Sequence, residues 1–337
     1  MKVLLLVHQD LVPPEVEDPS VVDWDSTPWV TEYQVKQALL TAGHNVYVLG
    51  VYENLQIITD TISEFKPSIV FNLLEEFNGE ATLDQNVVSH LELLGIPYTG
   101  CNPKGLILAR DKALSKKILA FHKIKSAEFQ VFPLNTPQTK VKIDRFPVIV
   151  KCLNEEASLG LSQASIVKND EKLKERVKFI HENFKTDAIA EEFIQGQEFF
   201  VGVMGNYRLQ TLPVWQLKFN KDVDPENQWY TTNAKFNESY RKRNGIQTGP
   251  ADISEAQASL LQKISKKAYQ ILGLSGYARM DLRVSEGGDV YILEANPNPD
   301  ISEFEDFAMS AKSIGISYTD LINKIISMGK QWSPHSH

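Results

Sequence analysis

The sequence contains little cysteine. Only Cys101 and Cys152 occur among its 337 residues, too few for a disulfide framework or for a zinc site built on paired Cys-x-x-Cys motifs. A single disulfide between them stays open, but the low count favours a protein of the reducing cytoplasm. Neither cysteine stands beside a histidine in the sequence, so neither is a candidate nucleophile.

Long apolar runs and an excess of basic residues are also missing. The opening apolar run at 3–7 is shorter than the ~7–15 residues of a signal-peptide core, and no later run approaches the ~18 residues of a membrane-spanning helix. Lys and Arg number 35 against 43 Asp and Glu, so the net charge is −8. An acidic chain without a basic stretch is poorly suited to bind nucleic acid. We expect a soluble cytoplasmic protein with neither a nucleic-acid nor a membrane partner.

Strand and helix patterns alternate in the first hundred residues. Short apolar runs, typical of buried strands, are separated by amphipathic segments that end at Gly43 and Gly95. We predict strands at 3–7, 45–49, 68–72 and 96–98, and helices at 30–42, 57–64 and 83–94. This alternation is typical of a parallel sheet covered by helices on both faces, with ligands at the carboxyl ends of its strands.

The remaining two thirds of the chain favour mixed units of strands and helices. We predict helices at 112–122, 170–183 and 252–272, and strands at 146–151, 188–194, 277–284 and 289–294. Asp111 is expected to cap the first of these helices, and Asp252 with Glu255 has the spacing of a capping box for the third. The polar stretch at 219–245 has little periodicity, and long loops of this kind are usually functional.

The two last predicted strands are joined by Gly287-Gly288, a strong signal for a two-residue hairpin turn. Counting outward from that turn gives the expected cross-strand pairs: Glu286 with Asp289, Arg283 with Ile292, Asp281 with Glu294, and Arg279 with Asn296. Opposed side chains share one face of a sheet. Two carboxylates and an amide on one face offer hard oxygen ligands that suit Mg²⁺. A solvated salt bridge of Asp281 with a neighbouring arginine is the alternative.

Several segments, taken in order, resemble the D-alanine–D-alanine ligase branch of the ATP-grasp superfamily. The hairpin strands read YARMD at 277–281 and LEANP at 293–297, which is similar to the metal signature of that superfamily. Further matches are LELLGIPYTG at 91–100, RDKALSKK at 110–117, FPVIVK at 146–151 and AEEFIQGQE at 190–198. One motif alone is weak, but the ordered set covers most of the chain from about residue 69.

The resemblance implies the fold and the reaction. The fold class is α/β and α+β, an ATP-grasp fold with an N-terminal Rossmann-like (pre-ATP-grasp) parallel-sheet domain. The expected domains are an N-terminal one at 1–105, a central one at 106–195, and a C-terminal one at 196–337 with the Mg and phosphate site. In such enzymes ATP phosphorylates a carboxylate, and an amine attacks the acyl phosphate to give an amide and ADP. A homodimer is a further expectation.

The resemblance also implies roles for single residues. Lys112 and Lys151 would neutralise the phosphates of ATP, and Lys235 would reach the transferring phosphate. Ser158 and Gly160 would lie over the phosphates. Adenine would contact Glu191 and the backbone of Phe193 and Ile194, and the ribose would contact Glu198. Two Mg²⁺ ions (or Mn²⁺) would be held by Asp281, Glu294 and Asn296, and Arg279 would stabilise the oxyanion. Positioned charge is most of what phosphoryl transfer requires. Taken singly, each residue also fits an ordinary surface charge or turn.

The sequence departs from the family where the amino-acid substrates would bind. Ala157 stands where the phosphate loop usually has a serine, and Phe236 where a tyrosine usually follows the loop lysine. No residue aligns safely with the family's N-terminal glutamate, for which Glu32 is the nearest candidate. The loop at 10–28 holds six acidic residues and no Lys or Arg, which suits either a cationic or bulkier substrate group or a solvated surface.

These departures bear on the substrate because lost hydroxyls leave buried polar partners unpaired. We therefore expect a carboxylate–amine ligase acting on amino acids or small peptides other than D-alanine. Three alternatives remain: a true D-alanine–D-alanine ligase of cell-wall synthesis, an ATP-grasp kinase, and a non-catalytic nucleotide-binding regulator. A pure binding protein has no need of Arg279 as an oxyanion ligand, which disfavours the last.

Overall fold

A computed structural model of the protein describes residues 1–16, 18–136, 141–143, 145–154, 162–219, 241 and 245–334. Within these residues the strands form three sheets of three, four and six strands. Each sheet draws its strands from one continuous part of the chain. The domain boundaries themselves stay a prediction.

The first sheet is parallel, with strand order β2-β1-β3. Its elements are β1 (Lys2–His8), α1 (Val30–Thr41), β2 (Asn45–Val51), α2 (Gln56–Phe65), β3 (Ile69–Asn72) and α3 (Asp84–Leu93). The alternation of strand and helix is therefore as predicted. The strand predicted at 96–98 was wrong, because only Tyr98 bridges to Val70 there. Pro97 has no N–H with which to extend the ladder.

The second sheet is antiparallel, in the order β4-β7-β5-β6. The elements of this part are α4 (Pro103–Arg110), α5 (Lys112–Phe121), β4 (Phe129–Phe132), β5 (Val148–Cys152), β6 (Ile166–Val167), α6 (Asp170–Phe184) and β7 (Ala188–Glu192). The cap predicted for α5 is confirmed, since the Asp111 side chain accepts a hydrogen bond from Leu114 N–H at 2.8 Å. Helix α4 was not predicted, although Asn102 caps it and Pro103 occupies its first turn.

The third sheet runs β11-β10-β8-β12-β13, with β9 paired to β8. Its elements are β8 (Gly196–Met204), β9 (Gln210–Thr211), β10 (Trp215–Lys218), β11 (Gln247–Pro250), α7 (Glu255–Ile271), β12 (Tyr277–Ser285), β13 (Val290–Pro297), α8 (Asp306–Lys312) and α9 (Tyr318–Gln331). Helix α9 packs against α1 and β3, so the C-terminal helix covers the first sheet. No helix in the described part of the chain is long and apolar enough to cross a membrane.

The predicted start of α7 needs a correction. The helix begins at Glu255, and the Ser254 side chain caps it by accepting a hydrogen bond from Gln257 N–H at 3.3 Å. Asp252 instead donates its N–H to the Gln216 side chain. Ser254 and Gln257 have the proper Ser-x-x-Gln spacing of a capping box, which outweighs the spacing of Asp252 with Glu255.

The hairpin of β12 and β13 also differs from the prediction near its turn. Ser285 N–H donates to Asp289 O, Gly288 N–H donates to Ser285 O, and only Gly288 of the two turn glycines has a positive φ. The loop is thus 286–288 rather than two glycines. The predicted pairing of Glu286 with Asp289 was therefore wrong.

The longer turn offsets the cross-strand pairs by one residue from those predicted. A bulge in β13 restores the predicted pairing before the strands reach the predicted metal ligands. Arg283 pairs with Tyr291 instead of Ile292. The register then shifts at Leu293, which has no partner on β12 and forms a β-bulge. Beyond the bulge the predicted pairs are confirmed, with Asp281 opposite Glu294 and Arg279 opposite Asn296.

Candidate active site

A buried network of charges lies where α5, β5 and β7 meet the β12–β13 hairpin. Lys112 Nζ lies 2.9 Å from Glu294 Oε1, and Lys151 Nζ lies 3.0 Å from Glu191 Oε2. Lys116 Nζ lies 3.5 Å from Glu191 Oε1. The structure thus brings together two lysines and two glutamates that the sequence predicted, and adds Lys116.

Local structure explains how these side chains converge. Lys112 is the first residue of α5, and Lys116 follows one turn later on the same helical face. On the sheet, Glu191 lies opposite Ile149 and Lys151 is two residues further along β5. Residues two apart share a face, so Lys151 and Glu191 are diagonal neighbours. The four-residue spacing of the two α5 lysines was a signal for Lys116 in the sequence.

The network keeps both carboxylates ionised. Burial raises the pKa of Glu191, but the nearby ammonium groups of Lys116 and Lys151 outweigh it and hold the pKa below its usual range. The same competition, with Lys112 as the nearest cation, lowers the pKa of Glu294 to about 2. Burial lowers the pKa of Lys116. Among the described residues of the network three lysines face two carboxylates, an arrangement that favours an anion such as a phosphate.

The hairpin presents Asp281, Glu294 and Asn296 on one face, beside this network. The Arg279 guanidinium binds both oxygens of Asp281, with Nε at 2.7 Å and Nη2 at 3.0 Å. An ion pair of Asp281 with an arginine therefore occurs, but the side chains are only 13% and 14% exposed, so it is not the solvated pair of the predicted alternative. Arg279 also stacks over the Phe200 ring, with its guanidinium carbon 4.9 Å from the ring centroid.

The donor set on this face fits a hard divalent cation. Two carboxylates and an amide supply oxygen ligands. The buried Asn296 amide nitrogen is a donor without a hydrogen-bond partner among the described residues, so it suits an acceptor such as a phosphate oxygen and not the cation. No three His, Cys, Asp or Glu side chains of the described ranges form a metal cluster by themselves. The amide oxygen of Asn296 and oxygens of a bound phosphate would have to complete the coordination.

The segment that follows β7 holds the predicted adenine contacts. Phe193 N–H donates to Pro147 O at 3.0 Å, and Ile194 O accepts from Arg283 Nη1 at 3.0 Å. A contact of Phe193 with adenine would therefore come from its carbonyl group. Glu191, the third predicted contact, has its carboxylate between two lysines.

Glu198, the predicted ribose ligand, forms a buried ion pair with Arg283. Burial nevertheless raises the pKa of Glu198. Arg283 also lies against the Phe193 ring, at 5.3 Å from its guanidinium carbon to the ring centroid. One arginine thus orders three predicted adenosine contacts, a role that sequence reasoning missed because it depends on pairing between β8 and β12.

Five residues of the predicted site lie outside the described residues. They are Ser158, Gly160 and Lys235, together with the substitutions Ala157 and Phe236. Most of the predicted functional loop at 219–245 lies outside them as well. The roles of all the site residues stay predictions.

Comparisons with known proteins agree on one family. A family model described as the D-ala D-ala ligase C-terminus matches residues 112–327. An uncharacterised protein of Sinorhizobium fredii is 31% identical, with 87% of this chain and 85% of that protein covered. A protein named D-alanine–D-alanine ligase from Pelagibacter ubique is 30% identical, with 88% of this chain and 91% of that protein covered.

A solved structure shares the fold over almost the whole chain. The crystal structure of D-alanine–D-alanine ligase from Bacillus anthracis complexed with ATP has a TM-score of 0.76, covers 98% of both chains and is 19% identical. These likenesses confirm the ATP-grasp fold and a carbon–nitrogen ligase that uses ATP and forms ADP. The chain belongs to the D-alanine–D-alanine ligase family of the ATP-grasp superfamily.

Proposed function

We propose that the protein joins a carboxylate to an amine through an acyl phosphate, with amino acids or small peptides as substrates. The observation that carries this proposal is the buried charge network beside the carboxylate-bearing hairpin. Phosphoryl transfer requires mainly positioned charge, and this arrangement supplies ammonium groups for phosphates and oxygen ligands for a cation in one place.

Each charged group has a proposed task. Lys112 and Lys151 bind the phosphates of ATP, and their pairs with Glu294 and Glu191 hold the two ammonium groups in position. Asp281, Glu294 and Asn296 would hold two Mg²⁺ ions, or Mn²⁺ in their place, whose charge would offset that of the phosphates. Lys235 is proposed to reach the transferring phosphate, and the loop of Ser158 and Gly160 to cover it.

The reaction then has two steps. A carboxylate oxygen of the first substrate attacks the γ-phosphorus, the bond from phosphorus to the β-phosphate oxygen breaks, and ADP leaves. The amine nitrogen of the second substrate attacks the acyl carbon, and phosphate leaves with the electron pair of the broken carbon–oxygen bond while the nitrogen loses its proton. Arg279, fixed by Asp281 and Phe200, stabilises the oxyanion in between.

The adenosine half would occupy the segment after β7. Adenine would contact Glu191 and the backbone of Phe193 and Ile194, and Glu198 would accept hydrogen bonds from the ribose hydroxyls. Arg283 supports this arrangement, because it fixes the Ile194 carbonyl and the Glu198 carboxylate at once.

Synthesis of a D-alanine dipeptide is the second candidate. The relative from Pelagibacter ubique is named a D-alanine–D-alanine ligase, which favours this function. Ala157 and Phe236 argue against it, because each lacks a hydroxyl that the family usually has there. A kinase and a nucleotide-binding regulator are weaker alternatives, since neither needs Arg279 as an oxyanion ligand.

One assay separates these candidates. ADP release with Mg·ATP is measured with D-alanine alone and with a pool of amino acids and dipeptides, and the products are identified by mass spectrometry. We expect turnover with the pool and a product mass equal to two substrates less one water. A dipeptide from D-alanine alone would favour the second candidate, and a stable phosphoester would indicate a kinase. ATP binding without release of ADP in any mixture would contradict catalysis.

We further propose that the protein acts in the cytoplasm, where ATP is available, and forms a homodimer. The family resemblance supports the dimer. Sedimentation at micromolar concentration tests it, because a dimer has twice the 38.1 kDa mass of the chain.

A further inference from the structure

A cavity of about 430 Å³ lies at the carboxyl ends of β1 and β3, against the segment 298–301. Its volume is within the range of pockets that bind small molecules. Its wall is acidic: of the described residues that line it, five are Asp or Glu, one is His, and none is Lys or Arg. The five carboxylates are those of Asp10, Glu32, Glu75, Glu76 and Asp300.

Glu32 is a buried carboxylate on this wall that has no counter-charge among the described residues. It is only 5% exposed and lines the cavity. Among the described residues its carboxylate has no ion-pair partner, and its one hydrogen bond is with its own backbone N–H. Burial, with a smaller contribution from Asp300, raises the pKa of Glu32 to about 7. A buried carboxylate without a counter-charge is costly, and a cation bound in the cavity would remove that cost.

The other acidic side chains show how the charge is spread. Asp300 is held in position, because its Oδ1 accepts hydrogen bonds from Thr31 Oγ1 at 3.2 Å and from Ser302 N–H at 2.8 Å. His8 lies between two carboxylates, with Nε2 at 3.3 Å from Glu76 and Nδ1 at 3.9 Å from Asp10. Among the described residues that line the cavity there is no Lys or Arg that could pair with Glu32 or Asp300.

The arrangement of these carboxylates favours an organic cation over a metal ion. No three His, Cys, Asp or Glu side chains in the described part of the chain converge as a metal site requires. Carboxylates spread along a wall instead suit an organic molecule whose ammonium group can lie against them.

The cavity continues the row of residues that forms the candidate active site. Tyr277 and Asn298 line it, and Asn298 N–H donates to Tyr277 O at 3.4 Å. This pair follows directly after Arg279 and Asn296 on the same hairpin. Two residues along a strand span about 7 Å. A substrate whose carboxylate reacts beside Arg279 can therefore extend its side chain into the cavity.

We propose that this cavity binds the positively charged side chain of the carboxylate substrate, which is an amino acid with a second amino group. The inference rests on the proposed ligase function, since that function places the reacting carboxylate beside Arg279. The second amino group is placed on the side chain because the α-amino group stays on the carbon next to the reacting carboxylate. Glu32 is the specificity-determining residue, and Asp300 assists it.

Calorimetric titration tests the proposal with lysine and norleucine, which share their α-groups and chain length and differ in the terminal amino group. Both enantiomers of each are titrated in the presence of Mg²⁺ and a non-hydrolysable ATP analogue. We expect one enantiomer of lysine to bind at least about tenfold more tightly than norleucine, the scale of a charged hydrogen bond.

Variants assign the preference to the cavity. We expect Glu32→Gln to reduce it to less than about threefold and Asp300→Asn to weaken it, with either variant sufficient if the other folds poorly. Glu15→Gln is the matched control, because Glu15 is an exposed carboxylate that pairs with Lys36 outside the cavity lining, and it should keep the preference. Equal binding of lysine and norleucine, no binding of either, or an unchanged preference in both cavity variants would overturn the proposal.

ADP release in the same mixtures separates this inference from the proposed function. Release at equal rates with lysine and norleucine would contradict the inference alone. Absence of release with any pair of acid and amine would contradict the proposed function, whatever the titrations give.

Discussion

Lys116 donates a hydrogen bond from its ammonium group to the carbonyl oxygen of Leu293, at 3.3 Å. Leu293 is the extra residue at the bulge of β13, and this residue brings Glu294 opposite Asp281. A slip of one residue would move Glu294 to the other face of the sheet. The buried lysine therefore contacts the bulge on which the register of the candidate metal site depends, and it also lies 3.5 Å from Glu191.

Removing the Lys116 ammonium group, and with it the hydrogen bond to Leu293 O, should disturb the active site without unfolding the protein. We expect Lys116→Met to lower kcat by about 10- to 100-fold, as is typical when a group supporting a metal ligand is lost. The Mg²⁺ concentration for half-maximal rate should rise as well, which a purely structural lysine would not cause. Lys117→Met, on the exposed side of the same helix, is the control. Normal turnover and normal Mg²⁺ dependence in Lys116→Met would refute the role.

Lys151 offers a test of the phosphate assignment. We expect Lys151→Ala to lose at least about 100-fold in turnover, because it removes positive charge that stabilises phosphoryl transfer. Lys125→Ala is the control, since Lys125 pairs with Asp289 at an exposed position near the hairpin turn. Turnover of Lys151→Ala close to that of the control would show that Lys151 is a structural lysine.

The buried ion pair of Arg283 with Glu198 leads to a prediction about the free energy of unfolding. Arg283→Met leaves a buried carboxylate without its cation, and we expect it to lower the free energy of unfolding by about 3 kcal/mol. Adding Glu198→Gln should recover part of the loss, because the unpaired charge is then gone. Urea unfolding of the two single variants and the double variant measures this coupling. Additive effects would mean that the two side chains do not interact in solution.

The pKa of Glu32 predicts a pH dependence. Its folded-state pKa of about 7 lies above its ordinary value of 4.5, so the folded protein binds the proton more tightly than the unfolded chain. The resulting stability is fully present below pH 4.5 and is lost as the pH rises through 7, by about 3 kcal/mol at most. Glu32→Gln should remove this slope from the free energy of unfolding. A wild-type slope that the variant retains would contradict the raised pKa.

The sequence predicted those elements whose signals are local. Short apolar runs found β1 and β3, because buried parallel strands need continuous apolar residues. The edge strand β2 is only partly buried, but its apolar run was found as well. The eight-residue helix α4 was missed, since two turns show little periodicity despite the capping signal of Asn102 and Pro103. The strand β8 was missed because only residues 193–195 separate it from β7, which leaves no distinct turn between two apolar runs.

The candidate site was predictable where one motif carried several of its residues. The hairpin placed Asp281, Glu294 and Asn296 together in the sequence, although the turn was shorter in the prediction and the bulge at Leu293 was not foreseen. These two errors cancelled. The acidic cavity had only a partial signal, the acidic residues at 10–28, because Glu32 and Asp300 are 268 positions apart in the chain and meet only through tertiary packing.

Asn296 provides the most direct test of the central claim that the hairpin holds the metal ions of an ATP-dependent ligase. The measurement is ADP release by Asn296→Ala, with the substrate pair identified from its product mass and with Asn183→Ala, an exposed position on α6, as the control. We expect at least about a 100-fold loss of turnover in Asn296→Ala, since it removes charge stabilisation of phosphoryl transfer, and no loss in the control. Equal turnover of the two variants would contradict the claim.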